Sequence, residues 1–267
     1  MSRYKKTFNK LNKNKEKALV PFVVIGDPDY KTSLEIVKKI IDSGADILEL
    51  GFAFSDSIAD GPTIQSADIR ALKSKIDTDK NFEFIKEIRD YNSKIPIGLL
   101  LYSNLIIQRG INHFYKDAKE AGVDSVLVAD LPIEEADPFI KEAKANKIDP
   151  VFIVSPLTNE ARLKNIAKNT KGFIYVVSRL GVTGARADIQ QNTLELIKSI
   201  KPNTTLPICV GFGISNPNQV KEITSAGADG AIVGSSLVKI IEESLNNKEL
   251  MLTKIQEFIK ALKAKTK

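Results

Sequence analysis

The chain carries one cysteine and one histidine among 267 residues. Cys209 has no partner for an internal disulfide. It falls in the apolar run Ile208-Cys209-Val210, which marks it as an inert core thiol more readily than a nucleophile. His113 opens a helical stretch instead of following a strand. One His and one Cys cannot build a His-rich or Cys-rich metal site, and a Ser-His-Asp triad would rest on His113 alone. Long apolar runs are also missing: the longest, residues 18–25, is interrupted by Pro21 and is far too short to span a bilayer. No secretory apolar stretch and no Ser/Gly/Pro-rich linker is present. The expectation is a soluble cytoplasmic protein with one domain over 1–267, whose chemistry falls to carboxylates, tyrosines and backbone groups.

Charge of one sign is scarce outside a single segment. The net charge of +6 is matched by residues 1–17, where Arg3, Lys5, Lys6, Lys10, Lys13, Lys15 and Lys17 face only Glu16. Nucleic-acid readers interleave basic residues with aromatics on a folded face, and that pattern is not seen. Tyr4, Phe8 and Leu11 instead fall on one helical face, which predicts a short amphipathic helix covering the N-terminal end of the fold.

What is abundant is alternation. Apolar, β-branched runs at 19–25, 47–50, 97–102, 125–129, 150–154, 173–177, 208–211 and 230–233 are separated by amphipathic helical patterns. Runs apolar through most of their length suit parallel strands covered on both faces. Eight such units predict a (β/α)8 TIM barrel. An N-terminal helix and an additional helix after the second strand, over 78–92, complete it. A C-terminal stripe of Met251, Ile255, Phe258, Ile259 and Leu262 is expected to pack on the core. Gly44-Ala45-Asp46, Gly122-Val123-Asp124 and Gly227-Ala228-Asp229 recur between helix and strand, and read as turns with no chemistry.

Barrel chemistry sits at the C-terminal strand ends. Glu49, in Ile47-Leu48-Glu49-Leu50, is either a structural acid paired with a buried cation or an acid/base whose apolar setting raises its pKa. No basic residue follows it until Arg70. Asp60 precedes Gly61-Pro62, where it either caps the next helix or serves as an ionised group near that helix's positive end. Gly211-Phe212-Gly213-Ile214-Ser215 and Gly234-Ser235-Ser236 are candidate phosphate cradles, and 178–186 has the glycine hinges of a lid.

Taken together, these segments resemble the tryptophan synthase α chain family over nearly the whole chain. The most specific stretch runs from Leu48-Glu49-Leu50-Gly51 through Phe54-Ser55-Asp56 to Ala59-Asp60-Gly61-Pro62-Thr63-Ile64-Gln65. Gly181-Val182-Thr183-Gly184 and Gly211-Phe212-Gly213-Ile214 add to it. The resemblance implies retro-aldol cleavage of indole-3-glycerol phosphate to indole and glyceraldehyde 3-phosphate, with no cofactor in this chain. It makes Glu49 the acid/base and Asp60 the acceptor from the indole N–H, with Tyr175 assisting near Glu49. Phe22, Leu100, Leu127, Ala129, Ile153, Phe212 and Ile232 would line the indole pocket, and Gly184, Gly213, Gly234 and Ser235 would hold the phosphate. It further implies an α2β2 complex in which indole passes to a pyridoxal-phosphate β chain that joins it to serine. Asp56, Asn104 and Asp130 would lie near that interface, and Thr183 would meet Asp60 when the lid closes.

Two positions depart from the family pattern. Ala53 and Ser57 stand where proline is common, which should widen the loop ensemble by roughly a few tenths to 1 kcal/mol each. Two other readings remain open: another phosphate-binding barrel enzyme, which would usually need a Lys, His or metal at strand ends, and an idle scaffold subunit, against which Glu49 and Asp60 argue.

Overall fold

The computed structural model describes residues 1–177, 191–211 and 213–267. Nine strands form one sheet: β1 (Ala18–Val24), β2 (Leu48–Gly51), β3 (Ile97–Leu101), β4 (Ser125–Val128), β5 (Asp149–Val151), β6 (Ile153–Val154), β7 (Ile174–Val177), β8 (Ile208–Gly211) and β9 (Gly230–Val233). Their order is β5-β4-β3-β2-β1-β9-β8-β7-β6, and every pairing is parallel. The fifth strand expected at 150–154 is split at Phe152. Its first half pairs with β4 and its second with β7, so one chain segment joins the two ends of the sheet. The Tyr175 amide donates to the Phe152 carbonyl at 3.2 Å across that junction. The result is the eight-unit barrel that the alternation predicts.

Among the described residues, twelve α-helices accompany the strands. Helix α1 (Arg3–Lys13) precedes β1, and α2 (Tyr30–Asp42) follows it. As expected, β2 is followed by two helices, α3 (Pro62–Lys73) and α4 (Thr78–Tyr91). A pair after β3, α5 (Ser103–Arg109) and α6 (Ile111–Ala121), was not legible, because Gly110 at φ +86° breaks one continuous amphipathic pattern in two. Then come α7 (Asp137–Ala145), α8 (Glu160–Asn169), α9 (Gln191–Ile200), α10 (Pro217–Ser225), α11 (Ser235–Glu242) and α12 (Lys248–Lys263). Met251, Ile255, Ile259 and Leu262 on α12 are buried, so the C-terminal stripe is core. No helix among the described residues is long and apolar enough to cross a membrane.

The period of two along the strands sorts side chains into two layers. Leu19, Val23, Leu48, Leu50, Leu99, Leu101, Val210 and Val233 face outward onto the helices. Ala18, Val20, Leu127, Val151, Tyr175, Cys209 and Ile232 face the barrel interior. Helix α1 closes that interior from the N-terminal end with Tyr4, Phe8 and Leu11, all buried in the same cluster. The Tyr4 hydroxyl shares a 2.7 Å hydrogen bond with Ser125, which satisfies the one polar end carried into the core. The basic N-terminal segment is therefore an amphipathic plug.

The Gly-x-Asp repeats do more than turn the chain. Gly44, Gly122 and Gly227 take φ of +106°, +89° and +108°, which L side chains rarely adopt. Each following aspartate then accepts the amide of a neighbouring strand's start: Asp46 from Leu19 at 2.8 Å, Asp124 from Ile97 at 2.9 Å and Asp229 from Ile208 at 3.1 Å. Each is also ion-paired, Asp46 to Lys263, Asp124 to Arg3 and Arg89, and Asp229 to Lys17 and Lys201. Asp124→Ala strands a strand amide and two partly buried guanidinium groups. It is expected to lower unfolding free energy by about 3 kcal/mol, read as a lower urea midpoint at unchanged m-value.

Candidate active site

Strand β2 is short and apolar except for Glu49, which pairs in register with Phe22 of β1 and Gly98 of β3. Its neighbours Leu48 and Leu50 point to the helices, so the alternation turns the carboxyl toward the inside. The residue is 4% exposed, and Oε2 has no hydrogen-bond partner among the described residues. Burial first, and the nearby Asp60 carboxylate second, push Glu49 up to about 8. Arg70, the nearest basic residue downstream in sequence, is occupied elsewhere. Its guanidinium grips Asp27 at 2.6 and 2.9 Å and Glu242 at 3.0 Å. Among the described residues no cation pairs with Glu49, which leaves the acid/base role.

Asp60 lies in the loop between β2 and α3, and it does not cap that helix. Gly61 takes the cap position without a side-chain bond, and Pro62 occupies the first turn. The Asp60 carboxylate instead accepts the Tyr102 hydroxyl at 2.7 Å, while the Ala59 amide donates to the same hydroxyl oxygen at 3.1 Å. Burial raises the Asp60 pKa, and the Tyr102 donor works against that rise. Tyr102 is itself fixed by stacking on Phe54, with ring centroids 5.2 Å apart. Gln65 Nε2 donates to the Asp60 carbonyl at 2.9 Å and fastens the loop to α3.

Glu49 and Asp60 open onto one cleft with Phe22, Leu100, Tyr175, Gly213, Ile232, Gly234 and Ser235, each singled out in the sequence, and with Ile64 and Ile214, which were not. About 40 Å³ is free there, room for a few waters, so an indole-sized guest requires the lining side chains to part. Leu127 is buried one layer down in the barrel interior, with Ile153 packed on the same cluster. Ala129 lines a smaller adjoining cavity shared with Asp60, Tyr102 and Asp68. Burial, with Glu49 and Asp60 adding to it, raises the Tyr175 pKa well above the ordinary tyrosine value, so its phenol stays neutral. Thr183, Gly184, Phe212 and the glycine-hinged segment 178–186 lie outside the described residues.

At the far end of the cleft, Gly213 has φ +89°, and the Ser236 hydroxyl donates to the Ile214 carbonyl at 3.1 Å, tying the two glycine loops together. Helix α11 starts at Gly234 with no side chain capping its first amides. A Cβ at Gly234 would lie 3.1 Å from the Phe22 ring, so glycine keeps that loop close to the apolar wall. Free amides at a helix start, backed by its dipole, are an anion site.

Asp56, Asn104 and Asp130 are all exposed. Asp130 holds the start of α5 by accepting the Ser103 amide and hydroxyl, both at 2.8 Å. Ile58, between Asp56 and Asp60, is 77% exposed. Sequence reasoning passed over Tyr102 and Asp68. Tyr102 reads as the last residue of an apolar strand, whereas Asp68 carried a signal, since it shares a helical face with Ile64, Ala67 and Ala71. A wider concavity, about 1060 Å³, lies at the opposite end around α1 and contains none of these residues.

Known proteins agree with this geometry. The sequence profile of the tryptophan synthase alpha chain matches residues 8–267. The chain is 51% identical to the tryptophan synthase alpha chain of Methanothermobacter thermautotrophicus, over 92% of this chain and 91% of that one. It superposes on tryptophan synthase subunit alpha of Legionella pneumophila with a TM-score of 0.91 at 32% identity, covering 100% and 98% of the two chains. A chain of the Pyrococcus furiosus tryptophan synthase complex aligns with a TM-score of 0.84 at 36% identity, covering 92% and 98%. With the barrel, the paired carboxylates and these matches in agreement, the chain belongs to the tryptophan synthase alpha chain family.

Proposed function

We propose that Glu49 and Asp60 divide the work of cleaving indole-3-glycerol phosphate, the reaction of this family's α chains. The observation that carries this division is the unlike setting of two neighbouring carboxyl groups. Glu49 is buried, has no cation beside it among the described residues, and stays protonated near neutral pH. It therefore has a proton to deliver to indole C3. Asp60 is less enclosed and receives the Tyr102 hydroxyl, which favours its ionised form. Asp60 then accepts the indole N–H and stabilises the positive charge that C3 protonation creates. The Glu49 carboxylate left behind takes the proton of the side-chain hydroxyl next to the ring. The C–C bond breaks, its electron pair returns to the ring, and indole and an aldehyde leave. One proton has moved from oxygen to carbon, and Glu49 ends as it began.

Phe22, Leu100 and Ile232 supply apolar wall for the indole, and Tyr175 closes the floor beside Glu49 as a neutral phenol. Gly213, Gly234 and Ser235 offer the backbone donors for the phosphate. In this family the cleavage uses no cofactor in the α chain, and pyridoxal phosphate belongs to the β chain. A β chain is the partner we infer, in an α2β2 assembly in the cytoplasm. The reading is supported by the likeness to the Pyrococcus complex and by the exposed Asp56, Ile58, Asn104 and Asp130 at the catalytic end of the barrel. The roles of Thr183 and Gly184 are inferred from the resemblance alone, since both lie outside the described residues.

Purified chain is expected to release indole slowly from indole-3-glycerol phosphate and faster with a β chain. No cleavage with a competent β chain would refute the lyase reading and favour an idle scaffold. Glu49→Gln is expected to lower kcat by about two to four orders of magnitude with KM near that of the parent. Substantial residual turnover would remove Glu49 from the acid/base role.

The pH dependence of stability has a defined sign. Glu49 binds its proton more tightly folded, at about 8, than at its ordinary 4.5. The stability it contributes is therefore complete below 4.5 and lost as pH rises through about 8. Glu49→Gln should gain on the parent across this window, by an amount on the order of 4 kcal/mol. Urea unfolding at pH 5, 7 and 9 (about these values) reads the difference, and parallel pH profiles for the two proteins would contradict it.

A further inference from the structure

The concavity of about 1060 Å³ around α1 has no part in the chemistry above, and its walls are strongly basic. Eight of the side chains lining it are cationic and three are carboxylates. Two of those carboxylates are already matched: Asp46 pairs with Lys263, and Asp124 with Arg3 and Arg89. Arg3 also donates to the Ser93 carbonyl at 2.9 Å, so the guanidinium in the wall fastens α1 to the turn before β3. The lysines are placed differently. Lys6, Lys94, Lys144, Lys147 and Lys171 are exposed, and none of them joins an ion pair among the described residues.

Helix electrostatics does not account for this grouping. A lysine in the last turn of a helix offsets the dipole, which suits Lys144 on α7. Lys6 lies in the first half of α1, the end where the dipole disfavours a cation. Lys94 and Lys171 stand between a helix and a strand. Lys147 has φ +57°, in the left-handed region that favours glycine. Segments far apart in sequence thus bring like charges to one hollow, where they repel each other until an anion lies between them.

We propose that this concavity binds a chain of phosphate groups, either free polyphosphate or the tail of a nucleoside polyphosphate. Lysine meets phosphate as a point charge on a flexible stem, whereas a planar carboxylate is read best by an arginine fork. The fork in this wall is committed to Asp124. No aromatic side chain lines the walls among the described residues, so no platform for base stacking is offered and a nucleic-acid strand is the poorer occupant. The volume stands at the upper end of the range of small-molecule pockets, roughly 300–1,000 Å³. The bound anion bridges Lys6 of α1 to Lys144, Lys147 and Lys171, and so ties the N-terminal plug to the barrel. The cleft of Glu49 and Asp60 is at the other end and takes no part.

The test is calorimetric titration of the full chain with tripolyphosphate at about 50 mM salt, where exposed charges are weakly screened. A single saturable site is expected, with orthophosphate at least about tenfold weaker because it meets fewer of the lysines. Combining Lys6→Gln, Lys144→Gln and Lys147→Gln should weaken tripolyphosphate at least about tenfold. The combination of Lys86→Gln, Lys116→Gln and Lys221→Gln removes the same charge from exposed positions outside the concavity, and should change binding less than about threefold. Lys94→Gln with Lys171→Gln, from the other walls, should weaken binding about fivefold and carries the comparison if the first combination does not fold. An ATP arm separates the two sources: binding at least about tenfold tighter than tripolyphosphate assigns the nucleoside polyphosphate, and anything weaker assigns free polyphosphate. No saturation up to about 10 mM overturns the site, as does an equal loss in the two triple variants or orthophosphate binding as tightly as tripolyphosphate. Binding that survives the Lys6, Lys144 and Lys147 changes but is displaced by indole-3-glycerol phosphate belongs to the glycine loops and also overturns it. So does a single-stranded RNA oligomer held by the same lysines that tripolyphosphate fails to displace.

Discussion

A carboxyl group enclosed in the barrel, with no counter-cation among the described residues, is the constraint around which the rest of this structure is arranged. Glu49 costs stability at neutral pH wherever it is forced to ionise, and it escapes that cost by keeping its proton. The surroundings maintain this condition from several directions. The alternation of β2 turns Glu49 inward, while Arg70, the next basic residue along the chain, is held by Asp27 and Glu242. Helix α1 plugs the opposite end with Tyr4, Phe8 and Leu11, so the interior beneath the acid is apolar. Tyr175 and Phe22 border the cleft above it. The protonated acid of our proposal is thereby set up by packing, with Asp60 as the neighbouring carboxylate.

Asp60 depends on the opposite treatment. It lies on a loop instead of a strand, and its orientation has to be imposed by hydrogen bonds: Tyr102 to its carboxylate and Gln65 to its carbonyl. The two halves of the site thus draw on different parts of the energy landscape. A strand residue is held by the sheet, with little freedom to lose. A loop residue is held by a few contacts of roughly 1 kcal/mol each, which is where substitutions such as Ala53 and Ser57 have leverage.

The sequence reveals the first half far better than the second. Glu49 is visible because a charged residue inside an apolar run of period two is anomalous by itself. The Gly-x-Asp repeats are readable as turns, yet their aspartates also reach the amide of an adjacent strand, a partner that only the closed sheet supplies. The fifth strand reads as one run, but barrel closure at Phe152 divides its hydrogen bonds between two neighbours. Asp60 reads equally well as a helix cap, and the choice turns on Tyr102, which is 42 residues away in sequence. Ala53 and Ser57 read as losses of rigidity. Folding buries Ser57, which no local pattern discloses. Asp68 was detectable in principle, because a carboxylate at the i+4 position of an apolar helical row carries the same anomaly as Glu49.

The central claim is that Glu49 keeps its proton at neutral pH because it is buried and has no counter-cation among the described residues. Carbon-13 NMR of glutamate side-chain carboxyls, followed through a pH titration with Glu49→Gln for assignment, tests it directly. A carboxyl titrating at about 8 and missing from the variant is expected. A Glu49 midpoint at its ordinary value of 4.5 would contradict the account.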